Sequence, residues 1–418
     1  VGRIVVTSAA YLGDVAPFVA PANELVGRGH DVTFLAPAGF HPMLAGERFA
    51  LDTYPLDMSS TAMHADPEHE RLMRHPRRNQ GRLVRYWMRT AFVNDVDAVR
   101  EGLLRSLAGA DVVVSHPTLC SVIEPVATHL GVPVVVGHLF PMMVPTQRWT
   151  PPIGSRSPDL GRRTNRALWS IVTTGTTRWL YDKQFNELRA SFGLESNRAN
   201  SLVAWTGAAR TVMLLSPYYY GAAADDWPPM TWAGFSTWTG PSGMDVDPAV
   251  DAFVNDGDPP VLVTLGTSAA TGAGERFATI GRGLDALGLR SLHLVGDARN
   301  LASLAGRPGA FEFAPITHVL LRCRVAVVSG ALGALSTALQ FGVPVVVVPQ
   351  LFDQLWHGRR VEQLGVGVMA HSASAVVKAV ARIDADPEFR RRARELATKM
   401  AGEDAARVMA DVVESVVS

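Results

Sequence analysis

The run Ser329-Gly330-Ala331-Leu332-Gly333 lies between an apolar stretch, Val325–Val328, and a segment of helical composition, Ala334–Phe341, after which a second apolar stretch follows at Val343–Val348. Strand, glycine turn, helix and strand make a βαβ unit, and the ligand of such a unit binds beyond the carboxyl end of the first strand. Gly330 and Gly333 let a ligand approach the main chain, while the free N–H groups of the helix's first turn face it with partial positive charge. A diphosphate fits that environment. The second strand runs into Pro349 and then Asp353-Gln354, a carboxylate and an amide suited to hydroxyls beside the phosphates. Phosphate donors next to hydroxyl acceptors imply a nucleotide sugar. The alternative is that the glycines only pack a helix on a sheet.

A second candidate lies near the start of the chain. Arg3–Thr7 reads as a buried strand, Ser8–Asp14 as a turn, Val15–Arg28 as a helix closed by Gly29, and Asp31–Leu35 as the next strand. Asp14 stands at the strand-to-helix junction, where an aspartate either caps the helix or acts as a general base. Asp111–Ser115, Thr118–Leu130 and Val132–Val136 repeat the pattern and put His116-Pro117 at a strand's carboxyl end beside Asp14. A histidine there is simply hydrogen-bonded, orients an acceptor, or tunes Asp14. The loop Phe140–Pro158 carries Met142 and Trp149, which suit a flat or flexible apolar ligand or ordinary packing between domains.

The elements that position these residues fall into two sets. At 418 residues the chain exceeds one ordinary core. Ala50–Tyr54 is expected as a third strand and Thr211–Leu215 as the last of the first half. Residues 219–248, rich in Pro, Gly and Asp, read as a linker. Pro260–Leu265 then opens a second half and turns at Gly266-Thr267-Ser268 into a helix over Glu275–Leu287. The expectation is an α/β protein with domains at 1–218 and 249–402, and a last helix, 403–418, packing back on the first. Two such halves describe doubly wound domains facing a central cleft.

Composition excludes several classes. Lys plus Arg and Asp plus Glu are 39 each, so zero net charge gives no reason to expect nucleic acid. Cys120 and Cys323 are too few for a disulfide framework or a zinc site, and a reducing, cytoplasmic setting is expected. Although 47% of residues are hydrophobic, no apolar run approaches the roughly 18 residues of a membrane span, and VGRIVVTSAAYLGDV has no signal-peptide character. Residues 71–89 carry seven arginines among apolar residues. They read as a peripheral membrane contact or, since Pro76 interrupts a helix, as a solvated face. The Gly-x-Gly-x-x-Gly, Walker, Gly-x-Ser-x-Gly and His-Glu-x-x-His motifs are missing.

These residues carry a resemblance over nearly the whole chain. The chain resembles the GT-B fold glycosyltransferases, in the UDP-glycosyltransferase-like group of sterol glucosyltransferases and bacterial enzymes acting on glycopeptides, macrolides and glycolipids. The matching positions are Leu12–Phe18, Arg28-Gly29-His30, His116-Pro117, Pro141-Met142 with Pro145-Thr146, Asp226-Trp227, Trp232–Phe235, Gly266-Thr267, Cys323 through the Gly-Val-Pro at 342–344, Asp353-Gln354, Gly365-Val366-Gly367, and Ala397–Met400 with Glu403-Asp404. The resemblance implies two Rossmann-like domains and Asp14 as the catalytic base. It implies a donor site of Gly266 and Thr267 near the phosphates, Phe313, Ala314 and Pro315 at the base, Ser329, Gly330, Ala331 and Gly333 at the diphosphate, and Asp353 with Gln354 at the sugar. Phe18, His116, Met142 and Trp149 are expected on the acceptor side. The implied reaction is inverting and uses no metal or cofactor beyond a UDP- or dTDP-sugar co-substrate, with a sterol, polyketide or glycolipid as acceptor.

One departure stands out. The family's phosphate motif begins His-x-Gly and ends in hydroxyl residues, whereas this chain has Ser329 and Ala331 in the first part and Ala334 and Leu335 in the second. Each lost charge-assisted bond costs about 1.5 to 3 kcal/mol, ten-fold to over a hundred-fold in rate if felt in the transition state. Backbone N–H groups survive such changes, and Ser329, Ser336 and Thr337 are candidates to supply hydroxyls. The alternative is a catalytically silent relative that binds a lipophile or a partner enzyme.

Overall fold

The computed structural model describes residues 1–418 apart from 9–10, 57–64, 74–77, 93–94, 152–158, 172–177, 197–200, 222–229, 242–245, 267–272, 351–352 and 418. The chain divides into two compact units, Val1–Pro241 with Glu403–Ser418, and Ser242–Gly402.

The first unit is built on seven parallel strands: β1 (Arg3–Thr7), β2 (Asp31–Ala36), β3 (Ala50–Thr53), β4 (Val112–Ser115), β5 (Val134–His138), β6 (Arg210–Met213) and β7 (Thr231–Trp232). Their spatial order is β3-β2-β1-β4-β5-β6-β7. Stretches such as VVVS at β4 are buried along their whole length, as strands covered by helices on both faces must be. Their β-branched side chains are already stiff, so an extended backbone takes little rotamer freedom from them. The chain winds outward from β1 to β3, then resumes on the other side at β4. Thr7 pairs with Ser115 across that reversal, so the loops after β1 and β4 leave the sheet side by side.

The opening helix, Leu12–Gly27, buries Val15, Phe18, Val19, Ala22 and Leu25. The C-terminal helix Ala405–Glu414 lies against it. Arg28 Nη1 bonds Asp411 and Glu414 at 2.7 Å each, and His30 Nε2 lies 3.0 Å from Glu414. One strand departs from expectation. β7 falls inside the stretch read as a linker, so Arg210–Met213 is not the last strand of its sheet; two residues pairing with Val212 and Met213 are too short to show a pattern.

The second unit has six parallel strands: β8 (Val261–Thr264), β9 (Ser291–Leu294), β10 (Ala310–Phe311), β11 (Val325–Val328), β12 (Val345–Val347) and β13 (Gly367–Met369), ordered β10-β9-β8-β11-β12-β13. Here the reversal lies between β8 and β11, with Thr264 opposite Val328. Helices Gly274–Asp285 and Ala373–Ala385 cover this sheet with Phe277, Ile280, Leu284, Val376, Val380 and Ile383.

In the arginine-rich stretch several apolar side chains turn inward. Leu72, Leu83 and Tyr86 are buried, Tyr86 Oη donates to Asp66 at 2.8 Å, and Arg89 pairs with Glu68. Leu72, Leu83 and Tyr86 are thus used inside the unit, and Met73 and Trp87 are half-buried. No helix of the described residues is long and apolar enough to cross a membrane. Cys120 and Cys323 are both buried free thiols.

Two core histidines make stability depend on acid. Burial, reinforced by His116, pushes His138 down from 6.5 to about 3, and burial with Arg307 nearby does the same to His293. Between these values the unfolded chain binds more protons than the folded one. Stability is therefore lost as pH falls from 6.5 toward 3, by up to about 1.4 kcal/mol per pH unit per histidine. His138→Gln is expected to flatten the fall in the denaturation midpoint between pH 6.5 and 4 by one proton's worth. An unchanged slope would show that His138 takes up no proton on unfolding.

Candidate functional site

In the first unit the reversal between β1 and β4 brings Asp14 and His116 together. Asp14 is the third residue of its helix, and its Oδ2 accepts from the Tyr11 N–H at 3.2 Å. Its Oδ1 lies 3.6 Å from His116 Nε2. One oxygen of the carboxylate thus caps the helix while the other faces His116. Thr118 N–H donates to His116 Nδ1 at 3.3 Å, so the neutral ring carries its proton on Nε2, toward Asp14. His116 is 1% exposed and Asp14 19%, so the aspartate is partly open to solvent while the histidine stands behind it. The structure therefore gives His116 the role of backing Asp14 and not that of lining an acceptor pocket.

Phe18 is also corrected. It has no exposed surface, and its ring fills the space above Gly137, where an added Cβ would lie 2.5 Å from Phe18 Cε1. It is core, tilted against His116 with centroids 5.9 Å apart. Trp149 is half-buried in an aromatic group with Tyr220, 5.4 Å away, and its carbonyl accepts from Trp169 Nε1 at 2.9 Å. These contacts all lie within the first unit, so they are not the packing between domains offered as the alternative. Met142 lies in the turn Pro141–Met143, and its side chain is outside the described residues, as are Thr267, Asp226 and Trp227.

In the second unit Gly266 and Ser329–Gly333 flank the reversal between β8 and β11. Gly266 has φ +75°, and a Cβ there would meet Ser329 Oγ at 3.0 Å. Ser329 is 2% exposed, and its Oγ accepts from Ala331 N–H at 3.2 Å. Helix Leu332–Gln340 starts after Ala331 with no side-chain cap. At Gly333 an added Cβ would meet nothing within 4 Å, so space is open over the first turn. The hydroxyls expected of Ser336 and Thr337 are committed elsewhere: both donate to Gly333 O, at 3.1 and 2.8 Å. They point along the helix because serine and threonine inside a helix bond back to the preceding turn.

Phe313 is 44% exposed just past β10, beside buried Ala314 and half-buried Pro315. Two strand spacings separate β10 from β8, roughly 10 Å, a span matching base to diphosphate. Past β12, Asp353 precedes helix Gln354–Leu364, and the buried Gln354 accepts the Gln350 N–H through Oε1 at 2.8 Å.

Residues 293–416 match the family described as erythromycin biosynthesis protein CIII-like, C-terminal domain. Glycosyltransferase GtfE of Amycolatopsis orientalis is 26% identical over 381 residues, covering 88% of this chain and 85% of that protein. O-mycaminosyltylonolide 6-deoxyallosyltransferase of Streptomyces fradiae is 26% identical over 424 residues, covering 96% and 94%. The solved structure of glycosyltransferase SsfS6 from Streptomyces sp. SF2575, complexed with thymidine diphosphate, aligns with a TM-score of 0.63 at 21% identity over 99% of this chain and 100% of that one. The chain has the GT-B fold and is a glycosyltransferase, and it resembles the UDP-glycosyltransferase-like group.

Around the reversals of this glycosyltransferase stand residues that sequence reasoning did not find. Tyr11, whose N–H holds Asp14, has its phenol kept well above the ordinary range by burial and by the Asp14 charge. Its hydroxyl is hydrogen-bonded with His69 Nε2 at 3.2 Å. His69 is 58 positions away in sequence, so no local signal connects the two. His357 was legible in principle: four residues after Asp353 on a helix, the two share a face.

Proposed function

We propose that the glycosyltransferase moves a hexose or deoxyhexose from a UDP- or dTDP-sugar to a hydroxyl of a lipophilic acceptor, a sterol, a polyketide such as a macrolide, or a glycolipid, with inversion and without a metal. The observation that carries this reading is the Asp14 carboxylate, partly exposed at a sheet reversal, with Oδ1 3.6 Å from Nε2 of a buried histidine. Asp14 takes the acceptor proton as the acceptor oxygen bonds to the anomeric carbon, and the bond from that carbon to the diphosphate breaks on the opposite side. The departing charge meets the main-chain N–H groups at the start of Leu332–Gln340, and Gly330 and Gly333 keep side chains out of its way. A catalytic Asp14 is supported by the division of labour in its carboxylate, since a plain cap needs no buried histidine on the other oxygen.

Of the two bases, thymidine is the first to try. One similar structure holds thymidine diphosphate, and one relative is named for transfer of a 6-deoxyallosyl group. The test is calorimetric binding of dTDP, UDP and their glucose conjugates, followed by incubation with a sterol and a macrolide aglycone. Nucleoside diphosphate release with a product of inverted anomeric configuration is expected. Binding of no sugar nucleotide would overturn the donor reading, and a product of retained configuration would overturn the single displacement.

A further inference from the structure

We infer that His357 is a positioning residue for the donor sugar, holding the carboxylate of Asp353 in the orientation in which it accepts sugar hydroxyls. This rests on the donor reading above. Asp353 occupies the N-cap position of helix Gln354–Leu364, where an aspartate ordinarily accepts from the N–H groups of the first turn, yet it makes no such side-chain bond. Instead its Oδ2 lies 3.5 Å from His357 Nε2, one helical turn further on.

The histidine has 0% exposed side-chain surface and the aspartate 14%. A fully buried ring cannot be a ligand contact, but it can fix an acceptor that a ligand does reach. With Oδ2 held from inside, Oδ1 is the oxygen left for hydroxyls. The separation is slightly longer than a hydrogen bond, the usual state of such pairs before substrate tightens them. In the first unit a buried histidine, His116, likewise lies near a partly exposed carboxylate, Asp14, there on the side of the oxygen that does not cap the helix. Each carboxylate assigned to substrate thus has a buried imidazole near it, whereas helix-capping carboxylates such as Asp247 and Asp404 accept from their own first turns.

The experiment compares His357→Leu, which removes the polar nitrogen, with His357→Gln, which retains a neutral N–H donor of similar reach. Affinities for dTDP, dTDP-glucose, UDP and UDP-glucose are measured by calorimetry, alongside donor KM, kcat and thermal melting. His357→Leu is expected to weaken the sugar nucleotide about ten-fold while leaving the bare diphosphate within two-fold, because only the sugar meets Asp353. His357→Gln is expected to recover most of that loss. Equal weakening of both ligands in His357→Leu, or no change in either, overturns the inference. If His357→Leu does not fold, His357→Asn, whose shorter amide does not reach Asp353 Oδ2, decides when measured alone and combined with Asp353→Asn: a histidine acting through Asp353 has no further effect once the carboxylate is gone, and an additive effect overturns the inference. Wild-type protein that binds none of the four ligands overturns the donor reading itself, and the inference with it.

Discussion

Asp14→Asn is expected to lower kcat at least about a hundred-fold while leaving folding and donor affinity nearly intact, the effect of removing a general base. The geometry makes this substitution discriminating. The asparagine carbonyl can still accept from Tyr11 N–H in place of Oδ2, which retains the cap and holds the stability change within about 1 kcal/mol. What changes is the other branch, where an amide NH2 now confronts the Nε2 proton that Thr118 fixes on His116. No basic site then remains for the acceptor proton. Single-turnover rates with saturating donor, read with thermal melting, check this. A loss of only a few-fold would reduce Asp14 to a cap.

Gly330→Ala is expected to cost about 2–5 kcal/mol and to weaken nucleoside diphosphate binding at least ten-fold. Gly330 has φ +88°, where a non-glycine residue is strained by about 1–2 kcal/mol. The new methyl would also lie 2.7 Å from Val347 Cγ1 and 3.2 Å from Gln354 O. Crowding of that kind adds about 1–3 kcal/mol. Relief requires the turn between β11 and its helix to move away from β12, which carries the first-turn N–H groups off the diphosphate position. Gly333→Ala is the control: it has no positive φ and nothing within 4 Å of its added methyl, so its melting temperature should stay close to wild type. Denaturant unfolding and calorimetry check both variants, and a Gly330→Ala protein with wild-type stability and affinity would refute the argument.

Much of the scaffold was readable from local pattern. β1 and β11 have the bounds expected of them, and β2, β3, β4, β8 and β12 differ by one or two residues at an end, because uninterrupted β-branched runs between glycine or proline turns have few other stable states. β9, β10, β13 and β7 were not expected, since SLHL, AF, GVM and TW are too short or too mixed to carry a period, and only pairing with a neighbour makes them strands. Asp14, Ser329–Gly333 and Asp353 were legible as residue types at strand-to-helix junctions, where a parallel sheet presents its ligands.

Which oxygen of Asp14 is free, that Phe18 is floor and not wall, that Ser336 and Thr337 spend their hydroxyls on Gly333, and that His357 stands behind Asp353 were decided by tertiary structure. The physical reason is the same for each: residue type states which bonds a side chain can make, and strand order with helix rotation determines which of those bonds have a partner within 3 to 4 Å. Sequence by itself determined two parallel sheets and the junctions where chemistry is possible. The reversals between β1 and β4 and between β8 and β11, set by sheet order and invisible in any local pattern, decided which of those junctions lie together.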